Sequence, residues 1–426
     1  MKFTCDVRFK FIVLLHIFLC IPLLCQTALS LDPLHLNNKG VEEYDKGNFE
    51  EALKFLSEAY ELSPDNEYVR KNLCNTLLAL ANEKAKLYQY NEAISLVDKV
   101  IKLDKNNFYA YLQGGAYSLN LGKISTAISY LENAIKLKPG YLDAHELLGE
   151  AYYREGDILS ARVQWEYVLQ IDPTRKELKE KYEKATREEL VQKNFRKMYS
   201  SSRHFQITYP EDISFSTRSA VVTYLEQAYL EIGRKLGGIF PSSPVQVVLY
   251  DTSRFSAVVQ LGQTIGGVYD GRIRISVSNK EGIEFSKDEI KRRIYHEYTH
   301  VAIFDYLKDR APWWVNEGLA EFFSTELDSG KKLIVVEAVE RKTLMDFCKL
   351  EEVKISEFLE SQSKISLAYA QSHCAIHLLW RRYGQGKFLS FLRSIKDGLS
   401  PETGLQRVYN IDYEKLLKDV IEYASR

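Results

Sequence analysis

Between residues 32 and 176, apolar and small positions recur in a helical rhythm broken at fixed intervals. Gly47-Asn48-Phe49-Glu50-Glu51-Ala52 returns as Gly122-Lys123-Ile124-Ser125-Thr126-Ala127 and as Gly156-Asp157-Ile158-Leu159-Ser160-Ala161, with a weaker copy at Tyr88-Gln89-Tyr90-Asn91-Glu92-Ala93. Ala93, Ala127 and Ala161 are spaced 34 residues apart, as are Pro139 and Pro173. Proline cannot continue a helix, so Pro64, Pro139 and Pro173 mark points where one helix has ended and the next must begin. The pattern predicts four helical hairpins. The interval from Ala52 to Ala93 is 41 residues, seven more than the period. Seven residues make about two helical turns, so the extra segment at 67–73 lengthens a helix without rotating its apolar face. The charged stretch 175–197, with Leu178, Tyr182, Leu190 and Phe195 interspersed, predicts a connecting helix whose charges form a solvated face.

A 34-residue period of helix, turn, helix and proline resembles the tetratricopeptide repeat. Such arrays commonly bind proteins or peptides on a concave face, and the alternative is a scaffold that only packs against the rest of the chain. The many tyrosines of the array, among them Tyr109, Tyr111, Tyr117, Tyr152 and Tyr153, read as packing groups between helices.

From His204 the rhythm changes. Segments 204–209 and 245–250 predict strands, and 217–236 between them an amphipathic helix. Gly266-Gly267-Val268-Tyr269-Asp270-Gly271 leads into the alternating run 272–277, a strand pair with Asp270-Gly271 at its turn. These glycines lack the strand-then-helix setting of a phosphate loop, which argues against a nucleotide site. Helices follow at 286–307, after Pro312, and at 365–383.

The first thirty residues follow another rule. Lys2, Arg8 and Lys10 precede an apolar run at 11–24, followed by small residues including Ala28 and Ser30. That is the layout of a secretory signal peptide at 1–30, and the run is short for a membrane span. An uncleaved N-terminal anchor is the second reading, and the one case in which the membrane becomes a partner. Without the leader three cysteines remain; Cys348 and Cys374 either pair or serve as small apolar residues. A chain of 426 residues implies two or three domains, and 45% hydrophobic with 27% charged residues excludes wholesale disorder. With a net charge of −1 and no long basic block, nucleic acid is not an expected partner.

Chemistry concentrates in His296-Glu297-Tyr298-Thr299-His300. Residues four apart on a helix share a face, separated by about 6 Å along the axis, so both imidazoles can reach one Zn²⁺ at about 2.0–2.1 Å. Zinc lowers the pKa of water to about 7, and Glu297 can take a proton without occupying a metal position. Such a five-residue string also occurs by chance. Its neighbourhood raises the odds: Pro312-Trp313-Trp314-Val315-Asn316-Glu317-Gly318-Leu319-Ala320-Glu321 follows, with Glu317 placed to return on a second helix.

The pairing of His296-Glu297-x-x-His300 with Trp314-Val315-Asn316-Glu317-Gly318-Leu319-Ala320 resembles the gluzincin, or peptidase MA-like, zinc metallopeptidases. The resemblance implies an α+β thermolysin-like domain with one zinc ion per chain. His296, His300 and Glu317 would be its ligands and Glu297 its catalytic base. Glu321 matches the acidic residue that supports a ligand histidine, though it is longer than the usual Asp. The resemblance also implies an oxyanion-stabilising tyrosine, matched by Tyr369. His373 is the other candidate; His377 on the same face reads as packing. The segment 268–277 is the expected edge for binding substrate backbone. No aminopeptidase Gly-x-Met-Glu-Asn segment is present, so a free N-terminus is not an expected requirement.

The architecture expected is thus a signal peptide at 1–30, a tetratricopeptide α-solenoid at 32–176, a connecting helix at 177–202 and a gluzincin peptidase domain at 203–426. The function expected is an extracytoplasmic zinc peptidase whose array recruits a protein or peptide substrate. The competing reading is a non-enzymatic adaptor with an inactive peptidase-like domain. Retention of Glu297 weighs against it, since a structural zinc site needs no base.

Overall fold

The computed structural model describes residues 32–241, 244–259, 267–269, 271–353 and 362–426. The expected leader at 1–30, and Gly266 and Asp270 of the strand pair, lie outside the described residues. Among the described residues no helix is long and apolar enough to cross a membrane.

The repeated phrases become helical hairpins: α1 (Pro33–Asp45), α2 (Phe49–Leu62), α3 (Glu67–Lys86), α4 (Tyr90–Leu103), α5 (Phe108–Leu121), α6 (Ile124–Leu137), α7 (Leu142–Glu155), α8 (Ile158–Ile171) and α9 (Lys176–Gln192). The phrase alanines Ala52, Ala93, Ala127 and Ala161 are fully buried. The glycine that opens each phrase holds a positive φ (Gly47 81°, Gly122 76°, Gly156 88°) at the turn between paired helices. In the weaker copy Tyr88 occupies that place at φ 62°, a conformation costly for a residue with a Cβ. The extra segment does lengthen a helix: α3 has 20 residues where most of its neighbours have 14.

By contacts the described residues divide into two compact units, one within 32–121 with 126–147, the other within 148–426 with 122–125. The second unit therefore contains the end of α7 together with α8 and α9. Its remaining elements are β1 (Arg196–Tyr199), β2 (Phe205–Tyr209), α10 (Phe215–Lys235), β3 (Val245–Asp251), α11 (Thr252–Val259), β4 (Gly267–Tyr269), β5 (Ile273–Ser278), α12 (Lys287–Leu307), α13 (Trp313–Ser324), α14 (Ser329–Glu340), α15 (Gln362–Lys396), α16 (Pro401–Tyr409) and α17 (Tyr413–Ala424). A non-helical Gly384 interrupts α15, so its first segment ends where the sequence predicts.

The five strands form one sheet in the order β1-β2-β3-β5-β4, with parallel inner pairs and antiparallel outer ones. One face, carrying Phe205, Ile207, Val247, Leu249, Ile273 and Ile275, joins the main core with α10 and α12. The other face is also covered. There Glu188 of α9 accepts hydrogen bonds from Arg272 (3.1 Å), Arg274 (3.0 and 3.2 Å), Tyr153 (2.9 Å) and Tyr250 (3.1 Å), all in the interior.

Two expectations are corrected. The connecting helix ends at Gln192, and Arg196–Tyr199 is an edge strand. The charges of that helix do not all face solvent: Glu188 is buried against two arginines, which give it partners that water would otherwise supply. Of the two readings left open for Cys348 and Cys374, the structure holds the unpaired one: both are free, Cys348 at the surface and Cys374 buried.

Candidate metal centre

Helix α12 is fixed at its start by Ser286, whose hydroxyl accepts from the backbone N–H of Glu289. Glu289 sits at the third position of this capping arrangement and binds Arg292 and Arg293. Hydrogen bonding to Arg292 is the main cause holding Glu289 at a pKa of about 2. Arg293 also donates to the Ser276 carbonyl (3.2 Å) and hydroxyl (2.5 Å), tying the helix to β5. A second anchor lies at β4, where the Tyr269 ring meets the Phe304 ring edge-on at 6.0 Å.

From this helix His296 and His300 project into the space that Glu317 of α13 enters. Pro312 caps α13, and its first N–H groups donate to the Glu351 and Leu350 carbonyls (2.9 and 3.0 Å). Gly318, next to Glu317, allows α13 to lie against α15: a Cβ there would meet the Ser372 carbonyl oxygen at 2.6 Å. The close crossing brings Glu317 beside Tyr369.

The donor atoms converge. Glu317 Oε2 is 3.5 Å from both His296 Nε2 and His300 Nε2, and the three ligand atoms lie within 4.8 Å of one another. Two donors about 2.0–2.1 Å from one tetrahedral zinc ion stand roughly 3.3–3.4 Å apart, so the spacing suits zinc. The contacts at Glu317 Oε2 have ion-pair but not hydrogen-bond geometry. Among the described residues this buried oxygen has no hydrogen-bond partner, nor has Oε2 of the buried Glu297. Orphaned buried carboxylate oxygens need a cation or donor nearby. Three carboxylates (Glu297, Glu317, Glu321) gather here, with the ammonium of Lys331 beside Glu321.

The proton affinities follow from this crowding. Burial raises Glu297, partly offset by the two imidazoles. Burial also acts to raise Glu317, but His300 and His296 hold it below the ordinary range. His296 would be pushed down by burial, yet the Glu317 and Glu321 carboxylates beside it carry it up to about 10. Glu321 Oε1 lies 3.4 Å from His296 Nδ1, where a supporting carboxylate has to be to fix the ring. His300 Nδ1 has no such partner among the described residues.

Tyr369 stands over the cluster, its ring 6.5 Å from that of His296 and edge-on to Trp313 at 5.3 Å. Burial, then the Glu317, Glu297 and Glu321 carboxylates, keep its phenol strongly protonated. His373 is wholly buried one turn along, with Nδ1 3.3 Å from Lys331 Nζ, and burial holds it down at about 3. His377 is bonded to Tyr423 at 2.6 Å and packs beside Phe322. His296, Glu297, His300, Glu317, Glu321 and Tyr369 are thus brought together, whereas His373 turns to Lys331 and His377 to Tyr423. Sequence reasoning missed Lys331, which bonds Glu321 Oε2 and Thr325 Oγ1, both at 2.5 Å. Fourteen positions beyond Glu317, on another helix, it carries no spacing signal.

The expected substrate edge, 268–277, spans two strands. β5 is interior, paired on both sides, so an edge role falls to β4 alone.

A helical hairpin array followed by a small mixed sheet and a two-helix His, His, Glu cluster defines a repeat protein with a metallopeptidase-like domain. A model of the peptidase MA superfamily matches residues 212–424, half of the chain, and tetratricopeptide-repeat models match 36–66 and 112–175. The chain belongs to the peptidase MA superfamily, with tetratricopeptide repeats ahead of that domain. Serine/threonine-protein phosphatase 5 of Rattus norvegicus is 30% identical over 109 residues, 26% of this chain and 20% of that protein. The STIP1 homolog of Dictyostelium discoideum is 33% identical over 96 residues, covering 22% of this chain and 17% of its own. The chain spans about a fifth of the length of these curated relatives. Among solved structures, that of MamA is 26% identical, covers 34% of this chain and 81% of its own, and has a TM-score of 0.29.

Proposed function

We propose that this chain is an exported zinc-dependent endopeptidase whose repeat array binds the protein or peptide to be cut. The observation that carries the proposal is the convergence of His296 Nε2, His300 Nε2 and Glu317 Oε2 beside Glu297, whose buried Oε2 has no hydrogen-bond partner among the described residues.

His296, His300 and Glu317 would hold the metal. Zinc, when bound, supplies a Lewis acid that polarises the scissile carbonyl and acidifies water. Glu297, whose proton affinity burial has raised, is suited to take a proton from the attacking water and pass it to the leaving amine. Tyr369, held protonated, is suited to donate its O–H to the developing oxyanion. β4, the sheet's edge strand packed against α12, is the place where an extended substrate could add its backbone. Export rests on the basic, apolar and small-residue succession of the first thirty residues. Recruitment rests on the tetratricopeptide repeats, a module that binds proteins.

The test is Glu297→Gln in the full chain. Hydrolysis of an unstructured protein such as reduced, denatured casein should fall about 10²–10⁴-fold while zinc content is unchanged. Equal hydrolysis by the variant would remove Glu297 from the reaction and the proposal with it.

A further inference from the structure

Glu321 has one side-chain torsion more than an aspartate, so a carboxylate on this stem needs something to hold it against His296. The structure provides it on α14. Asp328 caps that helix by accepting from the backbone N–H of Lys331 at 2.8 Å, which fixes where the lysine stem begins. The stem then reaches back across the turn, and its ammonium meets three acceptors: Glu321 Oε2 (2.5 Å), Thr325 Oγ1 (2.5 Å) and His373 Nδ1 (3.3 Å). Three donors against three acceptors satisfy a lysine ammonium completely. Glu321 is left with Oε1 directed at His296 Nδ1, 3.4 Å away.

We propose that Lys331 is a positioning residue of the metal centre: by holding Glu321 from behind, it fixes the His296 ring so that Nε2 faces Glu317 and His300. His373 belongs to the same device. Fully buried, it presents Nδ1 to the ammonium, and an imidazole accepting there is neutral, with its proton on Nε2. The order of dependence runs from Asp328 to Lys331, from Lys331 to Glu321, and from Glu321 to His296. Lys331 touches neither metal nor substrate in this arrangement, so its effect appears in metal affinity before it appears in turnover. Outer partners of metal-ligating histidines commonly affect metal affinity by about 10–100-fold.

This inference rests on the zinc reading above, and its test separates the two. Zinc dissociation constants of the full chain are measured by competition with a chromophoric chelator, for wild type, Lys331→Met, Lys331→Arg, Glu321→Gln and the Lys331→Met, Glu321→Gln pair. Lys331→Met should weaken zinc binding about 10–100-fold, with the melting temperature of the metal-free protein little changed, and Lys331→Arg should recover most of the loss. In the Glu321→Gln background, Lys331→Met should add little, because both act through one contact. Lys331→Gln repeats the comparison should the methionine variant not fold. A wild type that binds zinc, with Lys331→Met binding it equally well, overturns the positioning role alone. A wild type that binds no zinc overturns the metal reading and this inference together.

Discussion

Glu188 of α9 and Arg274 of β5 meet wholly inside the protein, two guanidinium nitrogens donating to the two carboxylate oxygens at 3.0 and 3.2 Å. Arg272 adds a second guanidinium at 3.1 Å and Tyr153 a hydroxyl at 2.9 Å. The helix after the last repeat is thereby bound to the strand beside β4. Removing one member of a buried ion pair leaves its partners uncompensated and costs about 3–5 kcal/mol. Glu188→Gln should lower the melting temperature of the transition that carries the C-terminal unit, and scanning calorimetry reads it.

The same carboxylate gives a pH dependence. Burial acts to raise the pKa of Glu188, but Arg272 and Arg274 hold it well below its unfolded value of about 4.3. A depressed folded-state value means that the stabilisation is present above pH ~4.3 and is lost as pH falls from there toward the folded-state value. The acid limb of the stability curve below pH ~4 should flatten in Glu188→Gln, since that variant has no such carboxyl to titrate.

Gly318 sets the distance between α13 and α15. Gly318→Ala would place a methyl 2.6 Å from the Ser372 carbonyl oxygen and the Ile376 Cγ1 atom, and the helices must part. Overpacking of this kind costs about 1–3 kcal/mol. Because Glu317 is the adjacent residue, zinc affinity should fall along with stability, and chelator competition separates the two effects.

Tyr369→Phe removes one hydroxyl beside the cluster and leaves the ring against Trp313. If the phenol donates to the oxyanion, kcat should fall about 10²–10³-fold with zinc content unchanged. A loss confined to KM would instead mark a substrate contact.

What the sequence disclosed, it disclosed through local rules. Spacing of 34 located the phrases because each hairpin repeats one packing problem, and His296 and His300 were legible because four residues make a turn. Glu317 was legible as a ligand through the resemblance of the Trp-Val-Asn-Glu-Gly-Leu-Ala run to the gluzincin peptidases. The polar face of the sheet was not. Arg272 and Arg274 alternate with Ile273 and Ile275, which ordinarily reads as one face in water, and only the presence of Glu188 in three dimensions makes burial tolerable. Lys331 was hidden for the same reason. Its partners lie at Glu321, Thr325 and His373, on two other elements, and no periodicity connects them. The strand Arg196–Tyr199 falls inside a predicted helix because a short, charged edge strand has no alternation long enough to announce it.

The most direct test of the metal reading is elemental analysis of the purified full chain beside Glu317→Ala. One zinc per chain in the wild type, lost or sharply reduced in the variant, is the expected result. Absence of zinc from the wild type, even after reconstitution with excess metal, would contradict it.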